Sequence, residues 1–167
     1  MTVLGIDPGT AVMGYGVVAR AAGLPGRLVE CGIVETRARD PLPARLRVIH
    51  DAVAELIARH RPEAVAVEAA FYGRNVRTTM VLSHARGVIL LAAEEAGVPV
   101  GEYTPAMVKK AIVGRGAALK PQVGYMVAQL LRLRSAPTPA DAADGVAIAL
   151  THLMMAGRAA RLRAAAG

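Results

Sequence analysis

Aromatic residues are nearly missing from this 167-residue chain, which has no tryptophan, one phenylalanine and four tyrosines. Its core must therefore be built from Ala, Val, Leu and Ile. Cysteine is as scarce. Cys31 stands alone, which excludes an intramolecular disulfide and suits a cytoplasmic protein. Within its strand Cys31 reads as a small buried hydrophobe. No apolar run approaches the ~18 residues of a membrane-spanning helix, so no membrane partner is expected. The first residues read as a strand ending in Asp7, not as the basic-then-apolar pattern of a secretory signal. Lysine is rare too, at three (Lys109, Lys110, Lys120) of twenty basic residues.

What is present is arginine. Twenty basic residues against 13 acidic ones give a net charge of +7 and a pI near 10.3, which points to a polyanionic partner. An arginine-rich coding bias would give the same balance, so charge alone decides little. The length fits one domain over residues 1–167 with a proper core. Residues 157–167, with Arg158, Arg161 and Arg163 and no acid, read as a frayed basic tail.

The chain is organised around Val3-Leu4-Gly5-Ile6-Asp7-Pro8-Gly9-Thr10. A short apolar run reads as a strand buried on both faces and delivers one carboxylate at its end. Carboxyl ends of such strands are where open α/β sheets place ligands, although Asp before Pro-Gly also suits an Asx-type turn. Met13–Arg20 and Leu28–Glu35 read as two further strands around a connection at Ala21–Gly26, giving an antiparallel meander. Helical spacing of Leu46, Ile49, Val53, Leu56 and Ile57 predicts a helix from Asp40 to His60. Ala64–Glu68 repeats the first strand's pattern. Helices are expected at 78–96, 105–113, 121–133 and from 140 to 156 or beyond, with a strand at 98–103 between the first two. The order βββ-α-β-α-β-α-α-α predicts an α/β protein with a mixed five-stranded sheet and helices on both faces.

Four acids are candidates for one site. If the strands ending in Asp7 and Glu68 are neighbours, about 4.8 Å apart, their carboxylates repel unless one is protonated or a cation lies between them. Asp141 and Asp144, three apart, share one face of the last helix. Asp141 also completes a Thr138-x-x-Asp141 capping box. That account does not reach Asp144, which lies among Ala142, Ala143, Gly145 and Val146 and needs a partner in an apolar helix. A hard divalent cation provides one, and an all-oxygen donor set suits Mg²⁺ better than Zn²⁺. Two such ions about 4 Å apart suit phosphodiester hydrolysis. Phe71-Tyr72-Gly73-Arg74-Asn75-Val76-Arg77 reads as a loop with stacking surface and positive charge, suited to unpaired bases, although a lone Phe can also anchor a core. His152 reads as a packed or capped histidine, and His84 as structural or at a dimer interface.

Gly5-Ile6-Asp7-Pro8-Gly9-Thr10 with Gly14-Tyr15-Gly16, the strand ending in Glu68, and Asp141-Ala142-Ala143-Asp144-Gly145-Val146-Ala147-Ile148-Ala149 together resemble the RuvC family of Holliday junction resolvases. The resemblance covers nearly the whole chain. It implies a ribonuclease-H-like fold and a homodimer that resolves four-way junction DNA by paired symmetric nicks. It also implies Mg²⁺ or Mn²⁺ as cofactor, two ions per site, held by the catalytic acids Asp7, Glu68, Asp141 and Asp144. A RuvA–RuvB branch-migration complex is a further partner of such a family. Phe71, with Tyr72, Arg74 and Arg77, falls where the family contacts the junction crossover. Lys109 and Lys120 fall at its basic positions near the scissile phosphate, while Lys110 and Arg115 are added as DNA contacts. Other readings stay open: a sugar-kinase or actin-like ATPase, whose first phosphate loop also reads Gly-Ile-Asp-x-Gly-Thr, a catalytically dead junction-binding module, or a related nuclease acting on RNA.

Overall fold

A computed structural model of the chain describes residues 1–69 and 76–165, with the backbone alone for 77, 78 and 160–165. β1 (Thr2–Asp7) runs through the middle of a five-stranded sheet. β2 (Val12–Ala21) and then β3 (Leu24–Glu35) lie on one side of it, both antiparallel to their neighbours. On the other side lie β4 (Ala64–Glu68) and β5 (Val100–Tyr103), both parallel. α1 (Leu42–His60) joins β3 to β4, and α2 (Val76–Glu95) precedes β5. α3 (Pro105–Val113), α4 (Lys120–Leu130) and α5 (Ala140–Ala165) complete the chain. This is the expected order and the expected mixed sheet. α5 keeps helical backbone through residue 165, across most of the segment expected to fray.

Two apolar layers explain why β1 carries no polar residue from Val3 to Ile6, just before Asp7. On one face Leu4 and Ile6 pack with Val65 and Val67 of β4 against Ile49 and Val53 of α1 and Ile89 of α2. On the other, Val3 and Ala66 meet Val146 and Leu150 of α5 together with Val123 and Val127 of α4. Val3, Leu4 and Ile6 are fully buried, contributing about 1.5–3 kcal/mol each.

The β2–β3 connection is tighter than the sequence suggests. Ala21 pairs with Leu24, leaving Ala22-Gly23 as a two-residue turn, with Gly23 at φ +69°. Pro25, which reads as a turn residue, lies inside β3, where an edge strand tolerates it. β5 starts at Val100 and α4 at Lys120, small shifts from the expected ends. No helix among the described residues is long and apolar enough to cross a membrane.

Candidate active site

Asp7 ends β1, and Glu68 ends β4. The parallel register, with Ile6 opposite Val67, brings both acids to the same edge of the sheet. α5 crosses that edge from above. It comes close because β1 and β2 present glycine to it: a Cβ on Gly5 would strike the Gly145 carbonyl, and one on Gly14 the Asp141 carbonyl. Gly145 in turn lies against Tyr15, where a Cβ would stand 2.6 Å from the Tyr15 Cα. Asp141 and Asp144 immediately precede this contact, in the first two turns of the helix.

Asp7, Asp141 and Asp144 each offer one carboxylate oxygen, and these oxygens all lie within 4.8 Å of one another. Glu68 falls outside that trio. It stays close enough for its charge to act on Asp7 and to feel Asp144. Burial, then the charges of Glu68, Asp144 and Asp141, push the Asp7 carboxyl up to about 7, with Lys120 pulling the other way. Glu68 is raised as well, by burial first and Asp144 second, and Lys120 and Lys109 oppose the rise. Four acids held together against repulsion want positive charge, and every donor is a carboxylate oxygen. The donor set therefore fits a hard divalent cation such as Mg²⁺ or Mn²⁺.

The basic residues divide. The Lys120 ammonium donates to the Asp144 carboxylate at 2.6 Å, and Lys109 lies near enough to act on Glu68. Lys110 sits on a different side of α3, lining a groove with Arg20 and Arg158, so the structure parts it from the carboxylates. Arg115, exposed in the α3–α4 connection, donates weakly to Gln122 at 3.5 Å. Phe71, Tyr72 and Arg74 lie outside the described residues, as does the side chain of Arg77.

Sequence reasoning missed Arg86. A cleft of about 150 Å³ runs from Asp7, Pro8 and Glu68 to Ser83 and Arg86 of α2. Arg86 is paired with Glu102 of β5, and its Nε is buried without a hydrogen-bond partner among the described residues. The available signal was its isolation, since no other Lys or Arg occurs between Arg77 and Lys109. His152 accepts from or donates to the Tyr103 hydroxyl at 2.9 Å, and its burial lowers its pKa, in keeping with a structural role. His84 is exposed on α2.

With that geometry in view, the comparisons with known proteins agree on one family. The family model "Crossover junction endodeoxyribonuclease RuvC" matches residues 3–152. A protein of that name from Parafrankia sp. (strain EAN1pec) is 50% identical over 165 residues, covering 99% of this chain and 93% of its own. One from Halorhodospira halophila is 53% identical over 150 residues, covering 90% and 88%. Among solved structures, Thermus thermophilus RuvC superposes with a TM-score of 0.88 at 44% identity, covering 95% of this chain and 97% of that one. T. thermophilus RuvC in complex with Holliday junction substrate gives 0.87 at 42%, covering 95% and 96%. The yeast mitochondrial Holliday junction resolvase Ydc2 shares the fold at 12% identity, with a TM-score of 0.70 and coverage of 93% and 79%. The sheet order, the helix that closes over it and these likenesses make this chain a ribonuclease-H-like protein that belongs to the RuvC family of crossover junction endodeoxyribonucleases.

Proposed function

We propose that Asp7, Glu68, Asp141 and Asp144 hold two Mg²⁺ or Mn²⁺ ions, and that the chain, as a homodimer, resolves four-way DNA junctions by nicking two opposed strands symmetrically. The observation that carries this reading is the approach of the Asp7, Asp141 and Asp144 oxygens to within 4.8 Å in a chain that is otherwise strongly basic. When bound, such cations supply Lewis-acid stabilisation of the entering and leaving oxygens of a phosphodiester.

The chain's own residues do the rest. Asp7, fixed by the strand at the sheet's centre, holds its carboxylate rigidly, so the donor set is organised before substrate arrives. Glu68 stands beside it on the adjacent strand, while α5 carries the other two acids as a unit. Lys120 and Lys109 bring positive charge to the rim, where a scissile phosphate approaches an acidic pocket that would otherwise repel it. Arg86 adds a guanidinium lining the same cleft from α2. Phe71, Tyr72, Arg74 and Arg77 supply stacking surface and charge for bases unpaired at a crossover. Dimerisation is supported by α2, where Val76, Met80 and Leu91 are exposed (70%, 59% and 51%) on one helical face with Gly87 between them.

The test is incubation with a strand-labelled synthetic four-way junction and Mg²⁺, with linear duplex and RNA–DNA hybrid alongside. Nicks at matching positions in opposed strands of the junction are expected. Asp7→Asn and Asp144→Asn are expected to bind the junction and leave it uncut. Loss of binding together with cleavage would mean that the acids build the fold. Equal cutting of linear duplex or hybrid would remove the junction from the proposal.

A further inference from the structure

At the end of the sheet remote from the carboxylates lies a groove of about 900 Å³. Thr2 of β1 pairs with Ala19 of β2, so the β2–β3 turn stands at the opposite end of β1 from Asp7, six residues or about 20 Å away. α5 spans the same interval, since Asp144 and Arg158 are fourteen residues or about 21 Å of helix apart.

The lining has two characters. Leu24 and Pro25 from the start of β3, Met107 from α3, and Leu153, Met154 and Met155 from α5 give an apolar surface. Met107 and Met155 are well exposed, at 38% and 41%. Arg20, Lys110 and Arg158 also line the groove, no acidic residue does, and none of the three forms an ion pair among the described residues. Arg20 lies along Gly157, its guanidinium 3.7 Å from where a Cβ there would stand. Its charge reaches Glu63, which is itself held by the N-terminal ammonium. α3 presents Met107, Lys110 and Ala111 at helical spacing, with Gly114 just past its end, so one helix face contributes both apolar and basic groups.

Those characters select the occupant. Nucleic acid is a poorer match, because no aromatic residue lines the groove for stacking and most of its lining is apolar, which a polyanionic backbone does not use. A second copy of the chain carries +7 towards an already cationic rim. An amphipathic helix with large apolar side chains at i, i+3, i+4 and i+7 and acids on its flanks satisfies both the lining and the rim. The three methionines, unbranched and polarizable, adapt to such side chains. We propose that this groove docks an acidic amphipathic helix of a partner protein. The assignment does not depend on the nuclease reading.

The probe is a fluorescein-labelled synthetic helix of about sixteen residues, with Leu on one face and Glu on the other. One control replaces Glu by Lys, and a second replaces Leu by Gln. Anisotropy is expected to show binding of the Leu/Glu peptide alone. Arg20→Glu combined with Arg158→Glu, and separately Met155→Glu, weaken it about tenfold or more while thermal melting stays unchanged. With methyl-labelled methionine, the Met107, Met154 and Met155 signals shift on titration, whereas Met13, buried in the other layer, does not. Failure of the Leu/Glu peptide to bind overturns the proposal. So does equal binding of either control, indifference to the Arg20/Arg158 exchange, or shifts confined to other methionines.

Discussion

The ammonium of Lys120 stands 2.6 Å from the carboxylate of Asp144, one group largely exposed (71%) and the other mostly covered (21%). Lys120 opens α4, where a positive charge works against the helix dipole. Its place is explained by the acids: Asp144 first, then Asp7 and Asp141, raise its pKa. Lys120 thus occupies, in part, the electrostatic role that a divalent cation takes over. Lys120→Gln is therefore expected to act in two directions. Mg²⁺ binding tightens about twofold to fivefold, the range of an exposed ion pair, because a competing cation is gone. Junction cleavage at saturating Mg²⁺ is expected to slow, because positive charge at the rim of the acidic site is gone. Calorimetric Mg²⁺ titration and single-turnover cleavage measure the two effects. Weaker metal binding in the variant would show that Lys120 organises the acids rather than competing for them.

Asp7 makes the metal-free protein sensitive to pH. Its carboxyl titrates near 3.8 in an unfolded chain and about 7 in the fold. The folded state therefore keeps a proton that the unfolded state has lost, so this group's contribution to stability declines as pH rises from about 4 to about 7. Glu68, also raised, adds in the same sense. Other groups, such as the lowered Glu30, tilt the opposite way, so the informative quantity is a difference between proteins. Between about pH 5 and pH 8 the metal-free Asp7→Asn protein is expected to gain in Tm relative to the parent. Mg²⁺ added at about pH 6 displaces more proton from the parent than from Asp7→Asn, visible as a steeper dependence of binding heat on the buffer's ionisation enthalpy. Parallel Tm curves would place the proton elsewhere.

Much of this was readable from residues that answer to one environment only. From Val3 to Ile6 no polar side chain interrupts the run before Asp7, and that pattern occurs in a strand with both faces covered. Asp144 could be singled out because an acid amid Ala142, Ala143 and Val146 in an apolar helix needs a partner. Glu68 was placed on the correct strand, but how far its carboxyl stands from the trio depends on side-chain geometry that spacing does not encode. Pro25 misled because proline marks turns and edge strands alike, and only strand order tells which. Lys109 and Lys110 look equivalent in sequence. Adjacent helical positions differ by about 100°, so one looks towards Glu68 and the other into the groove. Arg86 depended on α2 crossing the cleft, which periodicity does not reveal.

The α2 face yields a prediction on assembly. By sequence α2 carries Val81, Leu82, Val88, Ile89, Leu90 and Leu91. In the fold Ile89 is buried in the core, and Val88 and Leu90 are partly buried against it. Val76, Met80 and Leu91 remain outward on one face. Met80→Glu combined with Leu91→Glu is expected to yield monomer in sedimentation experiments with little loss of thermal stability. Cleavage by that variant falls on single strands without coordination between opposed ones. A dimer that survives both charges would move the interface away from this face.

Gly145 ties fold to site most directly. A Cβ there meets the Cα and carbonyl carbon of Tyr15 at 2.6 Å, both backbone atoms with nowhere to retreat. Gly145→Ala must therefore lift α5 from β2, at a cost of about 1–3 kcal/mol for overpacking. Asp144 is the preceding residue and Asp141 lies one turn before, so the same lift draws two carboxylates away from Asp7. Because misplacement by about 1 Å costs roughly a hundredfold in rate, cleavage is expected to fall by more than the stability loss accounts for, and Mg²⁺ affinity to fall with it. Gly124→Ala in α4 is the control. Its added methyl meets only the Ala136 Cβ, at 3.5 Å, and replacing a helical glycine stabilises by about 0.4–1 kcal/mol. Melting curves, Mg²⁺ titration and junction cleavage for the two variants separate the effects. A Gly145→Ala protein that melts lower yet cuts and binds Mg²⁺ normally would show that the acids find one another without the close seat of α5 on the sheet.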